Sequence, residues 1–166
     1  MKTRKKFSAQ KRIGSDPELA ALTDALRSVL ERDHSDSRIA MQIHRNNGVT
    51  VCQALAVCKA LESSRVGIIL SPDQSVPEDS RWEALLPEAA PHVFQLYVAD
   101  IDDGGKFTPI GEGIIDYAGI IRTLRGNGFD GFITLKWEKC WLDYLPEYPE
   151  GFRSFAHYLK RHGLLP

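Results

Sequence analysis

Residues 93–141 read VFQLYVADIDDGGKFTPIGEGIIDYAGIIRTLRGNGFDGFITLKWEKCW, and this stretch decides the fold. Val93 to Asp100 is apolar and aromatic enough for a buried strand. Asp102-Asp103-Gly104-Gly105 breaks it, and a second glycine loop, Gly111-Glu112-Gly113, follows. Asp116 is placed to cap a helix whose apolar face is Tyr117, Ile120, Ile121 and Leu124, a 3.6-residue spacing. Gly126 to Gly131 ends that helix and turns the chain into Ile133-Thr134-Leu135-Lys136-Trp137, a second β-branched and aromatic strand. A helix between two buried strands is a βαβ unit, so the strands are expected to be parallel with a right-handed crossover.

Working outward toward the N-terminus, the same alternation continues. Met1 to Gly14 is basic and poor in apolar residues and reads as a flexible tail, leaving 15–166 as one domain. Ser15-Asp16-Pro17-Glu18 is a helix start, with Leu19, Leu22, Leu26, Val29 and Leu30 on one face. Arg38 to His44 is a short strand, followed by the loop Arg45-Asn46-Asn47-Gly48. Thr50 caps a helix that buries Ala54, Leu55, Cys58 and Leu61. Val66 to Leu70 is a continuous apolar strand, as expected where both faces are covered, and it ends in the polar loop Ser71-Pro72-Asp73-Gln74. A weaker helix, Asp79 to Leu86, leads into the central stretch. Beyond Trp141, a last helix from Glu150 to Arg161 is expected to bury Phe152, Phe155, Ala156 and Leu159.

The fold class is therefore α/β: a parallel sheet of about four βα units after an initial helix. The 166 residues carry a net charge of −1, so no global field points to nucleic acid or an anionic membrane. No apolar run approaches the roughly 18–20 residues needed to span a bilayer. Three cysteines without framework spacing read as free thiols of a cytoplasmic protein.

Asp100, the run Pro109 to Gly113, Asp116, the turn Gly128 to Phe132, and Leu135-Lys136-Trp137-Glu138-Lys139 together resemble the last two βα units of the xylose-isomerase-like sugar phosphate isomerase/epimerase family. The pieces occur in the family's order and spacing, and a weaker likeness extends from about Arg38 to Tyr158. The resemblance implies a TIM barrel, of which a chain this short holds only the C-terminal half, since a complete barrel takes about 250 residues. It also implies a divalent metal that helps move protons on a sugar.

The strand ends, where such a site gathers, depart from the family's pattern. Gln42 stands where the family tends to place a glutamate, Ser71 at the aspartate, and Gln74 at the histidine three residues on. Gln95 and Tyr97 replace a His-x-His, and Lys136 replaces the last glutamate. A protonated lysine repels a divalent cation and cannot ligate it. The expectation is accordingly no metal, no catalytic residue in this chain alone, and a possible substrate-binding set of Gln42, His44, Gln95, Tyr97, Glu112, Lys136 and Glu138. Asp73 and Asp100, beside turn-forming residues, read as turn formers, and Lys136 with Glu138 as an ion pair on one face of the strand. Trp137 and Trp141 read as packing residues or as a stacking surface for a sugar. The alternatives are a non-catalytic module holding a sugar, sugar phosphate or other polar or anionic small molecule, or a half-barrel completed by a partner. Four barrel strands cannot close on themselves, so self-association or a partner chain is expected to cover the two open edges.

Overall fold

The computed structural model describes residues 17–44, 49–75 and 81–165. The basic tail, the Ser15-Asp16 cap, the 45–48 loop and the start of the helix expected at Asp79 lie outside the described residues.

A four-stranded sheet in the order β1-β2-β3-β6 forms the centre: β1 (Ile39–Gln42), β2 (Val66–Leu70), β3 (Val93–Val98) and β6 (Phe132–Leu135). All three pairings are parallel. The connections carry helices, as parallel neighbours require. α1 (Pro17–Arg32) precedes the sheet, α2 (Val51–Leu61) joins β1 to β2, and α5 (Tyr117–Gly126) joins β3 to β6. α6 (Tyr148–Arg161) closes the chain.

The caps form as the sequence demands. Thr50 Oγ1 accepts from Gln53 N at 3.2 Å while Gln53 Oε1 accepts from Thr50 N at 3.0 Å, a reciprocal capping box. Asp116 Oδ1 accepts from Gly119 N at 2.9 Å and starts α5, whose Tyr117, Ile120, Ile121 and Leu124 are all buried.

Side-chain alternation divides the sheet into two unlike faces. Val66, Ile68, Leu70, Leu96 and Val98 are buried in one core with Ala54, Val57 and Cys58 of α2 and Ile121 and Leu124 of α5. The opposite face carries Gln42, Ile69, Gln95, Tyr97, Phe132 and Thr134, which are half-buried or exposed. Gln42, Ile69, Gln95 and Phe132 lie in register across the four strands. In a closed barrel this would be the inside.

Four expectations need correction. Ser71 to Gln74 is no exposed polar loop: Pro72–Ser75 form one helical turn, α3, with all four residues buried. The helix expected over 79–86 comes later, as 3₁₀ turns at Trp82–Leu85 and Ala90–His92 around α4 (Leu86–Ala89). Val29 of α1 is exposed rather than packed. On α6 the buried residues are Gly151, Tyr158 and Leu159, with Phe155 packed alongside, while Phe152 and Ala156 face out. Gly151 lies directly against the Trp137 indole, and this contact turns the helix by about one residue from its hydrophobic reading.

A hairpin after β3 was not visible in the sequence. β4 (Asp100–Ile101) and β5 (Phe107–Thr108) pair antiparallel across the Asp102–Gly105 turn. There Asp102 Oδ1 accepts from Gly104 N and Lys106 N, each at 2.9 Å.

Candidate functional site at the strand ends

The segments after β2 and β6 bring three charged groups and one amide, Asp73, Lys136, Glu138 and Gln74, to the C-terminal end of the sheet. α3 carries Asp73 directly after β2, and its side chain is fully buried. Lys136 follows β6, where its N–H donates to Val98 O at 2.9 Å and so extends the ladder beyond the strand. Lys136 Nζ lies 3.3 Å from Asp73 Oδ2 and 3.4 Å from Glu138 Oε1, so one ammonium bridges two carboxylates. Gln74 Nε2 donates to the same Asp73 Oδ2 at 2.5 Å. The ring of Phe107, from the hairpin, has its centroid 5.7 Å from the ammonium, within cation–π range.

Two buried oxygens of this segment, Asp73 Oδ1 and Ser71 Oγ, have no hydrogen-bond partner among the described residues. An unsatisfied buried acceptor costs about 1–3 kcal/mol, so the cluster retains capacity for a hydrogen-bond donor.

The sequence-derived residues divide into groups. Lys136 and Glu138 are joined to each other and to Asp73. Gln95 donates from Nε2 to Thr134 Oγ1 at 2.7 Å, one strand away from the bridge, and Tyr97 is in register with Thr134 on the same open face. Gln42 ends the edge strand β1 and is exposed, with His44 half-buried two residues on. Glu112 is exposed on its loop and makes no contact with the bridge. The sequence reading missed Asp73 as a member. Its signal was an aspartate directly after a strand, which is also how a turn former looks.

Asp100 is structural. Its buried carboxylate accepts from the backbone N–H of Ile101, Gly111, Gly113 and Ile115 at 2.9–3.2 Å. The Gly111 and Gly113 amides therefore face Asp100 and not a ligand, while the Glu112 N–H donates to Pro109 O at 3.0 Å. Gly113 permits this, since a Cβ there would fall 2.3 Å from Asp100 Oδ1, and Gly111 adopts φ +84°. Tyr117 braces the same corner: its hydroxyl donates to Ala99 O at 2.9 Å and accepts from Ala99 N at 3.0 Å. Burial pushes its phenol well above the usual range. Trp137 is half-buried and donates from Nε1 to Pro146 O at 3.0 Å, whereas Trp141 is exposed.

These elements match a known family over nearly the whole chain: the family model for the xylose isomerase-like TIM barrel covers residues 7–162. The chain belongs to the xylose isomerase-like TIM-barrel family. Solved structures with the same fold include the IolI protein with a bound zinc atom (16% identity, TM-score 0.70). Others are a xylose isomerase-like TIM barrel protein from Mycobacterium smegmatis in complex with magnesium (15%, 0.62) and D-psicose 3-epimerase in the presence of D-fructose (14%, 0.66). They align with 93%, 90% and 95% of this chain but only 58%, 52% and 59% of their own lengths. The chain thus spans little more than half of each of these three structures. No curated protein matches it.

A divalent metal does not fit the strand ends as they stand. Among the described residues, no three His, Cys, Asp or Glu side chains converge to hold one. An oxygen ligand binds such a cation at about 2.0–2.6 Å. A cation that close to both Asp73 Oδ2 and Glu138 Oε1 would collide with the Lys136 ammonium already between them.

Proposed function

We propose that this member of the xylose isomerase-like family binds a sugar at the strand ends without carrying out metal-assisted proton transfer by itself. The observation that carries the reading is the Lys136 ammonium bridging Asp73 and Glu138. Moving a proton on a carbon next to a carbonyl requires a positioned base and an electrophile for the carbonyl oxygen. Here both strand-end carboxylates are ion-paired to the same lysine, which lowers their availability as bases. Gln42, Gln95, Tyr97 and Thr134 line the open face with neutral hydrogen-bonding groups suited to sugar hydroxyls.

The test is proton NMR in deuterium oxide with D-fructose as probe. The expected result is saturable perturbation of the protein's resonances, lost in Lys136→Met, with no protein-dependent deuterium entering at the carbons beside the carbonyl. Protein-dependent exchange at those carbons would overturn the reading.

A second reading is favoured by the sheet edges: among the described residues β1 and β6 each have only one neighbour, as in half of an assembled barrel. On that reading exchange is absent from the isolated chain and arises only when a partner chain supplies the missing strands.

A further inference from the structure

We infer that Lys136 is a built-in cation that occupies a dicarboxylate site, so that removing this one ammonium uncovers a divalent-cation site where the described residues otherwise offer none. The inference rests on the proposed metal-free reading and extends it to what the cluster would do without its lysine.

The geometry supports it in three respects. Asp73 and Glu138 reach the ammonium from different elements, at 3.3 and 3.4 Å, and a single charge bridges two carboxylates. The site therefore carries a formal net charge of −1 with its lysine and −2 without it. Asp73 Oδ1, buried and without a hydrogen-bond partner among the described residues, lies beside the oxygen that contacts lysine. Gln74 donates to Asp73 Oδ2 and holds the carboxylate in place from the same helical turn. Hard divalent cations select this kind of oxygen donor set, and one or two carboxylates with waters suffice for magnesium or manganese. The amide oxygen of Gln74 and the hydroxyl of Ser71 are further neutral oxygens on the same segment.

The experiment is calorimetric titration of the whole chain with manganese chloride, paired with thermal unfolding at each metal concentration. For the wild type the expected result is no saturable binding and no rise in midpoint. For Lys136→Met, saturable binding of one ion per chain is expected, at least tenfold tighter than any wild-type signal, with a rising midpoint. Adding Glu138→Gln to that variant should abolish the binding. Lys136→Glu, which supplies a third carboxylate, is the second variant. Should Lys136→Met fail to melt cooperatively, the inference is decided by Lys136→Glu and by whether manganese restores its cooperative transition. Saturable wild-type binding that is lost in Asp73→Asn would overturn the inference, as would lysine variants that fold yet bind no ion. Wild-type metal binding would also overturn the metal-free part of the proposed function, whereas lysine variants that fold yet bind no ion would leave that function standing. Sugar binding itself is decided separately, by whether D-fructose saturably perturbs the protein's resonances.

Discussion

At the scale of single residues, the three cysteines occupy environments different enough to be told apart in solution. Cys58 is buried on α2 with its thiol donating to Val66 O at 3.8 Å, and burial pushes it up to about 11. Cys52 and Cys140 are exposed. Because the thiolate is the nucleophile, we expect an aromatic disulfide reagent at pH 8 to modify two thiols of the native chain quickly. The third should react only on unfolding. Three fast thiols would show that α2 is not packed as described. The sign of the pH effect follows from the raised value. Cys58 contributes stability that is fully present below the free thiol range near 9 and is lost as pH rises toward 11. This contrast was legible in the sequence, since Cys58 shares the stripe of Ala54, Leu55 and Leu61 while Cys52 does not. Asp73 was not legible to the same degree. Its partner Lys136 is 63 residues away, and no local pattern carries a contact of that range.

At the scale of elements, the loop between β3 and α5 is organised by one carboxylate. Four backbone N–H groups converge on Asp100, and removing the acceptor leaves them without a partner in a buried corner. Hydrogen bonds to a charged group are worth about 1.5–3 kcal/mol each, though they do not add fully. We expect Asp100→Ala to lower the unfolding free energy by about 3–5 kcal/mol, at the upper end for a single substitution, as denaturant titration would measure. A loss below about 1 kcal/mol would mean that the loop finds other acceptors. The sequence showed the glycines and the aspartate but not their meeting, because the hairpin strands that bring them together are two residues each. Periodicity needs a longer window than that. α5 was legible throughout, since its cap and apolar face are local facts. α6 was legible in extent only: a hydropathy reading favours Phe152 over Gly151, and the structure inverts them because only a hydrogen at 151 lets the helix rest on Trp137.

For the whole molecule, the question is what lies beside the two open edges. The order of the four sheet strands and of α1, α2, α5 and α6 was readable from the sequence, and so was the shortfall against eight strands, but not what covers the edges. A second copy closing an eight-stranded barrel is the simplest candidate, and counting helices argues against it. A barrel carries one helix per strand. Here, among the described residues, α1, α2, the short turns of the β2–β3 connection (α3 and 82–92), α5 and α6 give five helical layers to four strands. Two copies joined β6 to β1 would place α6 of one and α1 of the other over the same junction. The open face would instead be filled without conflict by four strands carrying three helices. Without such a partner, β6 presents unpaired backbone groups and Phe132, which is 77% exposed, and Trp141, Tyr144, Tyr148 and Phe152 are also uncovered in the segments that follow it. An exposed apolar edge strand pairs with whatever edge it meets, and charge on that edge suppresses the pairing. We therefore expect sedimentation velocity to show association of the isolated chain that grows with concentration and does not stop at a dimer. Phe132→Lys should reduce that association sharply and leave the unfolding midpoint within a few degrees, because the side chain it replaces packs little against its own core. A discrete dimer unaffected by Phe132→Lys would instead mean that α1 or α6 moves aside and the barrel closes after all.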